Sequence, residues 1–479
     1  MTGEAGEARP RSLEVPLHYD IDRAALLAPA LDDLFAARVR AGRTPSASYA
    51  LVAGGRIVAS GGFADEAGAP RPTLDTAFRV ASCTKSFTAA VLLQQRDAGR
   101  IDLDAPLTEY LPLRTVPDGP APTIAHLAAM SAGFPTDDPW GDRQESLDPA
   151  RLDELAAAGF RLIARPGERF EYSNLGFALL GRALERVSGR RYVDLVLEDL
   201  AAPLGLSGLG FDTSVHADRV ATGYARVDDG WEAQPVSSPG AFSPIGGLFA
   251  TARSLAGWVA WLAAADAPSA DDCVLAAASR RELWRPRTPL PDSPASYGLG
   301  LVAEEDRRHG TVVGHSGGYP GFGAHLRWHP ASRIGIVVLE NARYSGAVVA
   351  GSAGLTAVLD AVAVPDREPD VWPETAAARL AVEKLLRHWD DGVAAALFAE
   401  NVPLDEPLDR RRAAIGRLAQ SAGIDPGAAP IALRDAAPCS RSAAHLTWTV
   451  PGTTGCLRCE IRMTPELEPR VQTLHVRLG

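Results

Sequence analysis

The sequence predicts an α/β protein in which an antiparallel sheet is flanked by helices, carries a helical subdomain, and is followed by a small α+β domain. Three observations predict it. Strand-like segments cluster at both ends of residues 21–364, with helical and loop-like sequence between them. Neighbouring strand candidates are joined by short turns, which makes their pairing antiparallel. A stretch at 365–373 with three prolines and several charges then reads as a linker, and the helices-then-strands order of 374–479 reads as a separate unit.

Each element has a local reason. Residues 1–20 are polar and are expected to be a flexible N-terminus. Leu26 to Ala41 repeats its apolar positions at helical spacing. Ser46 to Ala64 reads as two strands around the turn Gly54-Gly55. A strand near Thr76 to Val80 leads into Ser82, and Cys83 to Arg100 is helical, with apolar Phe87, Val91 and Leu92 and a stop near Gly99. Ile101 to Ala265 reads as helix and loop, punctuated by Pro112, Pro117, Pro120, Pro166 and Pro203. Strand signals return at Thr311 to Gly314 and in a hairpin, Gly323 to Trp328 with Arg333 to Glu340, before a closing helix at Gly346 to Val364. Beyond the linker come one long helix, Thr375 to Phe398, and a second, Asp409 to Ala422. Strands follow at His445 to Val450, Cys456 to Met463 and Val471 to Leu478. By element order alone this last unit is weakly analogous to cystatin- or NTF2-like modules.

Composition narrows the function classes. The 479 residues are 46% hydrophobic, enough for a large core, and the net charge of -11 offers no basic excess to neutralise phosphates. Nucleic acid and anionic membranes are therefore not expected as partners. The first residues lack the apolar run of a secretory leader, and the most apolar later stretch is interrupted by Ser352, Thr356 and Asp360, so a cytoplasmic protein is expected. Five cysteines in a chain this long do not form a disulfide framework. Cys456 and Cys459 suggest zinc, but in a strand they point to opposite faces, with Cys459 joining Leu457, Ile461 and Met463 in the core. No metal and no cofactor is expected.

The chemistry starts at Ser82-Cys83-Thr84-Lys85, a Ser-x-x-Lys at a strand-to-helix junction. Positions i and i+3 share a helix face, so the Lys85 amine reaches the Ser82 hydroxyl, which needs such a neighbour to become a nucleophile. The plain alternative is a capping serine with a solvated lysine. Tyr172-Ser173-Asn174 follows the Pro166-Gly167 turn and opens a helix from Leu175 to Val187. A phenol serves as a base only if its pKa is lowered, which a nearby lysine would do. Asn174 is a candidate partner for a substrate amide and for Lys85; alternatively it caps the helix while Tyr172 packs. His315-Ser316-Gly317-Gly318 follows a short strand, where glycines let a ligand approach the backbone, or simply form a turn. The polar loop from Asp137 to Arg143 either borders a pocket or is a surface turn with Trp140 packed inward.

Together and in this order, these pieces resemble the penicillin-recognising serine hydrolases, the group of class C β-lactamases, D,D-carboxypeptidases, D-amino-acid amidases and related esterases. The segments "FRVASCTKSFTAAVLLQQRDAGRIDLDAPLTEYLP", "TIAHLAAMSAGFP", "RPGERFEYSNLGFALLGRALERVSG", "SPIGGLFATARSLAGWVAWL" and "GHSGGYPGFGAHLRWHP" carry the resemblance over about residues 25–364. It implies a β-lactamase/transpeptidase-like fold. It implies that Ser82 is the acylated nucleophile, that Lys85 and Tyr172 share the proton transfers, and that Asn174 binds substrate amide. Backbone N–H groups of Ser82 and Gly318 would form the oxyanion hole, with His315 and Gly317 beside the substrate. His315 stands where many β-lactamases have lysine, and a mostly neutral ring loses the hold on a substrate carboxylate. Ester, amide or peptide hydrolysis is therefore expected, with β-lactam hydrolysis weak or absent. The expected partners are a small-molecule or short peptide substrate, with a homo-oligomer left open. Two other readings stand beside this one: a catalytically silent ligand-binding or scaffold protein on the same fold, and a C-terminal domain that carries the function as a binding module.

Overall fold

The computed structural model describes residues 17–65, 70–213, 219–265, 270–365, 371–436, 438–440 and 442–479. They fall into two compact units, Asp20–Val362 and the remainder. The expected N-terminal and linker segments lie largely outside the described residues. Their described ends are ordered: Leu17–Tyr19 pairs antiparallel with Ala363–Pro365, and Pro373 opens a helix.

The first unit is built on an eight-stranded sheet, antiparallel throughout. Across it the strands run Thr288–Pro289, Ala295–Tyr297, Val302–Asp306, Gly310–Tyr319, Phe322–His329, Ile334–Glu340, Ser46–Ala53 and Arg56–Ala64. The centre is a continuous apolar run because both faces are covered: every residue of Ser46–Ala53 and of Ile334–Glu340 is buried. Alternation of side chains assigns the two coverings. Gly335 faces Val259 of the helix Ala252–Ala263, whereas Ile336 faces Gly354 of the helix Ala347–Val362 and, with it, Leu31 of the helix Ala28–Arg40.

Three short strands at 288–306 were not anticipated. They have two to five residues, too few for alternation to show, and proline is tolerated in Thr288–Pro289 because that strand is at the sheet edge. The strand expected to end at Gly314 instead continues to Tyr319, so His315, Ser316, Gly317 and Gly318 lie in the ladder opposite Leu326, His325, Ala324 and Gly323.

The helix Thr84–Asp97 is buried from Thr84 to Leu93. Phe87 stacks on Trp258 at 4.0 Å between centroids, and the Trp258 indole donates to Ser86 Oγ at 3.0 Å. This helix is an axle, fixed on its sides before any site is considered.

In the second unit the strands His445–Pro451, Cys456–Met463 and Val471–Leu478 form an antiparallel sheet, as expected. Cys459 is buried and Cys456 is half-buried on the other face, as alternation requires. The expected single helix from Thr375 to Phe398 is two helices, Pro373–Arg387 and Asp391–Leu397. It breaks because the Asp390 side chain accepts from the Val393 N–H at 2.9 Å and starts a new helix. A further short helix, Asn401–Asp405, was not anticipated. Among the described residues no helix is long and apolar enough to cross a membrane, and no group of three or more His, Cys, Asp or Glu side chains is arranged to hold a metal.

Candidate active site

The strand Ala77–Arg79 runs into a single 3-10 turn, Ala81–Cys83, which opens the helix bearing Lys85. Ala81 sits at φ 49°, a left-handed conformation that an alanine adopts only under constraint. The constraint is close packing. A Cβ at Gly317 would stand 2.5 Å from the Val80 carbonyl oxygen and 3.1 Å from the Ser82 nitrogen, and one at Gly246 would stand 3.3 Å from the Ala81 carbonyl carbon. Gly317 therefore presses the strand onto the serine turn and does not line the cavity, which departs from its expected place beside the substrate. Gly317→Ala is expected to cost about 1–3 kcal/mol of stability through overpacking. A denaturant melt superimposable on that of the parent would show that the strand does not bear on this turn.

Ser82, Lys85 and Tyr172 converge. Lys85 Nζ lies 3.0 Å from Ser82 Oγ, and it also donates to Asn174 Oδ1 and to the Ile245 carbonyl, both at 2.8 Å. The same nitrogen is 5.0 Å from the centre of the Tyr172 ring. Burial of the amine pushes the Lys85 pKa down to about 8, against the upward pull of Asp138, Asp142 and Asp137. Tyr172 goes the opposite way from expectation. Burial, with Tyr297 and Asp138 adding to it, raises its pKa well above the usual phenol value, although its hydrogen-bonding neighbour Ser82 pulls downward. The phenol is therefore held neutral, because burial outweighs the downward pull of Ser82.

Asn174 is the expected partner of Lys85. It is fully buried, giving its carbonyl to Lys85 and its amide to Asp138 Oδ1 at 2.8 Å. It does not cap the helix Asn174–Ser188. Ser173 does so, accepting from the Gly176 N–H, while Asp137 accepts from the N–H groups of Asn174 at 2.6 Å and Leu175 at 2.8 Å. The carboxylates of the 137–142 loop are thus built into the site, and Trp140, 45% exposed, is not the inward anchor of that loop.

His315 has both ring nitrogens engaged. Nδ1 donates to the Ser316 carbonyl at 2.6 Å, which leaves Nε2 to accept from the Tyr297 hydroxyl at 2.8 Å. Burial, with Lys85 adding to it, brings its pKa down to about 3, so the ring is neutral. It supports Tyr297 and holds no cation toward the cavity.

The cavity over Ser82 has a volume of about 320 Å³ and is lined by Ser82, Tyr172, Tyr297, His315, Ser316 and Gly318 among others, with Asp138 at its wall. The Tyr344 ring lies over Gly318, where a Cβ would come within 2.2 Å of it, and its hydroxyl donates to Asp142 at 2.5 Å. Behind the cavity a buried cluster ties the pieces together. Glu145 accepts from Ser243 at 2.8 Å and Tyr319 at 2.9 Å and faces Arg79 at 3.4 Å, and the Arg79 guanidinium lies 4.5 Å from the centre of the Tyr319 ring. Sequence reasoning offered the 137–143 loop as a pocket border and named Ser316 in its glycine segment, but gave Asp138, Asp142 and Ser316 no individual role and missed Glu145, Tyr297 and Tyr344. For Glu145 the signal was the crowding of four acids into 137–145, since so many carboxylates near a buried lysine need partners.

Comparison with known proteins agrees with this fold. The sequence model of the family described as Beta-lactamase matches residues 31–360. Beta-lactamase-like protein 2 of Dictyostelium discoideum is 30% identical over 244 residues, 48% of this chain and 42% of that protein, so the chain spans less than half the length of this relative. The D-alanyl-D-alanine-carboxypeptidase/endopeptidase AmpH of Escherichia coli is 29% identical over 284 residues, 56% of this chain and 72% of that protein. Among solved structures, the octameric penicillin-binding protein homologue from Pyrococcus abyssi covers 94% of this chain and 99% of its own with a TM-score of 0.62 at 19% identity. A D-stereospecific amidohydrolase from Streptomyces sp. covers 68% of this chain and 98% of its own with a TM-score of 0.56 at 23% identity. With its fold, its motifs and a family match over most of its length in accord, the chain belongs to the β-lactamase family of hydrolases.

Proposed function

We propose that the chain is a serine hydrolase that works through an acyl-enzyme on ester, amide or peptide substrates. One observation carries the reading: a buried amine with its pKa lowered to about 8 lies 3.0 Å from a serine hydroxyl at the base of a cavity. In its neutral form Lys85 takes the Ser82 proton as Oγ bonds to the substrate carbonyl carbon. The N–H groups of Ser82 and Gly318 are assigned to the oxyanion. Collapse breaks the bond to the leaving oxygen or nitrogen, which takes a proton from the Lys85 ammonium. Water then attacks the acyl-enzyme, losing its proton to Lys85, and the acid leaves as Ser82 is restored. Tyr172, kept neutral, contributes as a hydrogen-bond donor between Ser82 and the leaving atom and not as a phenolate base. Asn174 acts on the lysine by fixing its position.

The neutral, fully engaged His315 supports an uncharged recognition element at this point of the site, and so esters, amides and peptides over efficient turnover of carboxylate-bearing β-lactams. The carboxypeptidase/endopeptidase and D-stereospecific amidohydrolase relatives support peptide and amide substrates. A fluorophosphonate is expected to add its mass once, on the Ser82 peptide, and Ser82→Ala to abolish both labelling and ester turnover. An intact mass unchanged by fluorophosphonates and activated esters would instead favour a silent binding protein.

A further inference from the structure

Charge is scarce on the walls of the cavity over Ser82. Among the described side chains that line it, Asp138 is the one carboxylate, His315 is neutral, and no lysine or arginine takes part. Arg343 stands 5.4 Å from the centre of the Tyr344 ring but does not line the cavity.

The Asp138 carboxylate is held in place. Its Oδ1 accepts from Asn174 Nδ2 at 2.8 Å, and Asn174 Oδ1 accepts at 2.8 Å from Lys85 Nζ, which is 3.0 Å from Ser82 Oγ. Two hydrogen bonds thus tie the acid to the general base, and a third reaches the nucleophile. Asp138 is half-buried, and its Oδ2 has no hydrogen-bond or ion-pair partner among the described residues. Asp142 differs, since it accepts from the Tyr344 hydroxyl and does not line the cavity. Around Asp138 the walls are largely aromatic, with Phe170, Tyr172, Tyr297 and Tyr344. A partly desolvated carboxylate with an oxygen to spare attracts a cationic donor and repels an anion, and aromatic faces also favour cations.

We propose that Asp138 binds an ammonium group of the substrate, so that the site selects amino-acid esters, amides and peptides with a free amine close to the scissile carbonyl over their neutral or carboxylate-bearing counterparts. The inference rests on the acyl-enzyme reading of Ser82 and narrows it to one charge class of substrate.

Pairs of substrates with like shape test it near neutral pH. Alanine p-nitroanilide, as each enantiomer, is set against isobutyric p-nitroanilide and carries the ammonium in the acyl part. 3-(Aminomethyl)phenyl isobutyrate is set against 3-ethylphenyl isobutyrate and carries it in the leaving group. For at least one pair, the parent should prefer the ammonium member in kcat/KM. Asp138→Asn keeps an acceptor for Asn174 and drops the charge, and it should lower that ratio about ten- to hundredfold, the size of one charge-assisted hydrogen bond. Intrinsic reactivity cancels when the ratio is compared between parent and variant, as does any change at Lys85 shared by both members. Asp142→Asn should leave the ratio largely in place. A ratio that Asp138→Asn does not lower for any pair overturns the proposal. So does an equal fall in Asp142→Asn, which would indicate a diffuse field and no contact. Calorimetry on Ser82→Ala decides binding without turnover: the ammonium member of the preferred pair should bind more tightly, and adding Asp138→Asn should erase the difference. Equal binding of both members overturns the role of Asp138, whereas turnover that survives Ser82→Ala would sink the acyl-enzyme reading instead.

Discussion

Lys85→Met is expected to lower kcat/KM for esters by about 10²–10⁴-fold, the range that a positioned general base supplies. Methionine keeps the apolar stem of the side chain up to the position of Cε, so the loss would report the amine. The same residue sets the pH dependence. Burial lowers the Lys85 pKa from 10.5 to about 8, so most of the amine is charged at pH 6 and most is neutral above pH 9. Since only the neutral amine accepts the Ser82 proton, kcat/KM should rise with pH through about 8 in the parent. It should lose that step in Lys85→Met. A rate profile across pH at fixed ionic strength checks both parts, and a rising limb near 8 that persists in the variant would assign the base elsewhere.

Glu145→Leu is expected to cost about 3–5 kcal/mol of stability, the range for removing one member of a buried ion pair. Arg79 is 2% exposed and Glu145 1%, so the change leaves a guanidinium out of water without its counter-charge. It also deprives Ser243 and Tyr319 of their acceptor. Denaturant unfolding followed by tryptophan fluorescence measures the loss. Adding Arg79→Met should recover a large part of it, because the penalty comes from the orphaned charge more than from the missing attraction. If Glu145→Leu unfolds at the parental midpoint, the cluster is not what holds the 137–147 loop to the serine turn.

Much of the site was legible where neighbours in space are also neighbours in sequence. Ser82 and Lys85 meet because three residues of helix place them together, and Tyr172 with Asn174 flags a helix start. What could not be read are the partners supplied by distant segments. Nothing in the wording of Tyr172 shows that Tyr297 and Asp138 will surround it, so the direction of its pKa shift was missed. Asn174 meets Lys85 as its position suggested, but its second partner, Asp138, and the Tyr297 hydroxyl on His315 come from distant segments. The fold followed a similar rule. The long apolar strands at 46–64 and 322–340 were visible from their pattern, whereas the strands at 288–306 exist only because the sheet edge recruits them. The break at Asp390 had a local signal, an aspartate ahead of a new apolar repeat, that periodicity over the whole window concealed.

The sheet's middle joins segments from opposite ends of the first unit: the Ser46 N–H donates to Asn341 Oδ1 at 2.7 Å, 295 positions away, and Ser46–Ala53 lies between Ile334–Glu340 and Arg56–Ala64. During synthesis the hairpin at 46–64 can close early, but its other flank stays bare until residue 340 has left the ribosome. Through that interval a strand of eight buried residues offers an open apolar edge to other nascent chains. Pairing of strands this far apart in sequence favours slow assembly, and the cleft is complete only when the last strands arrive.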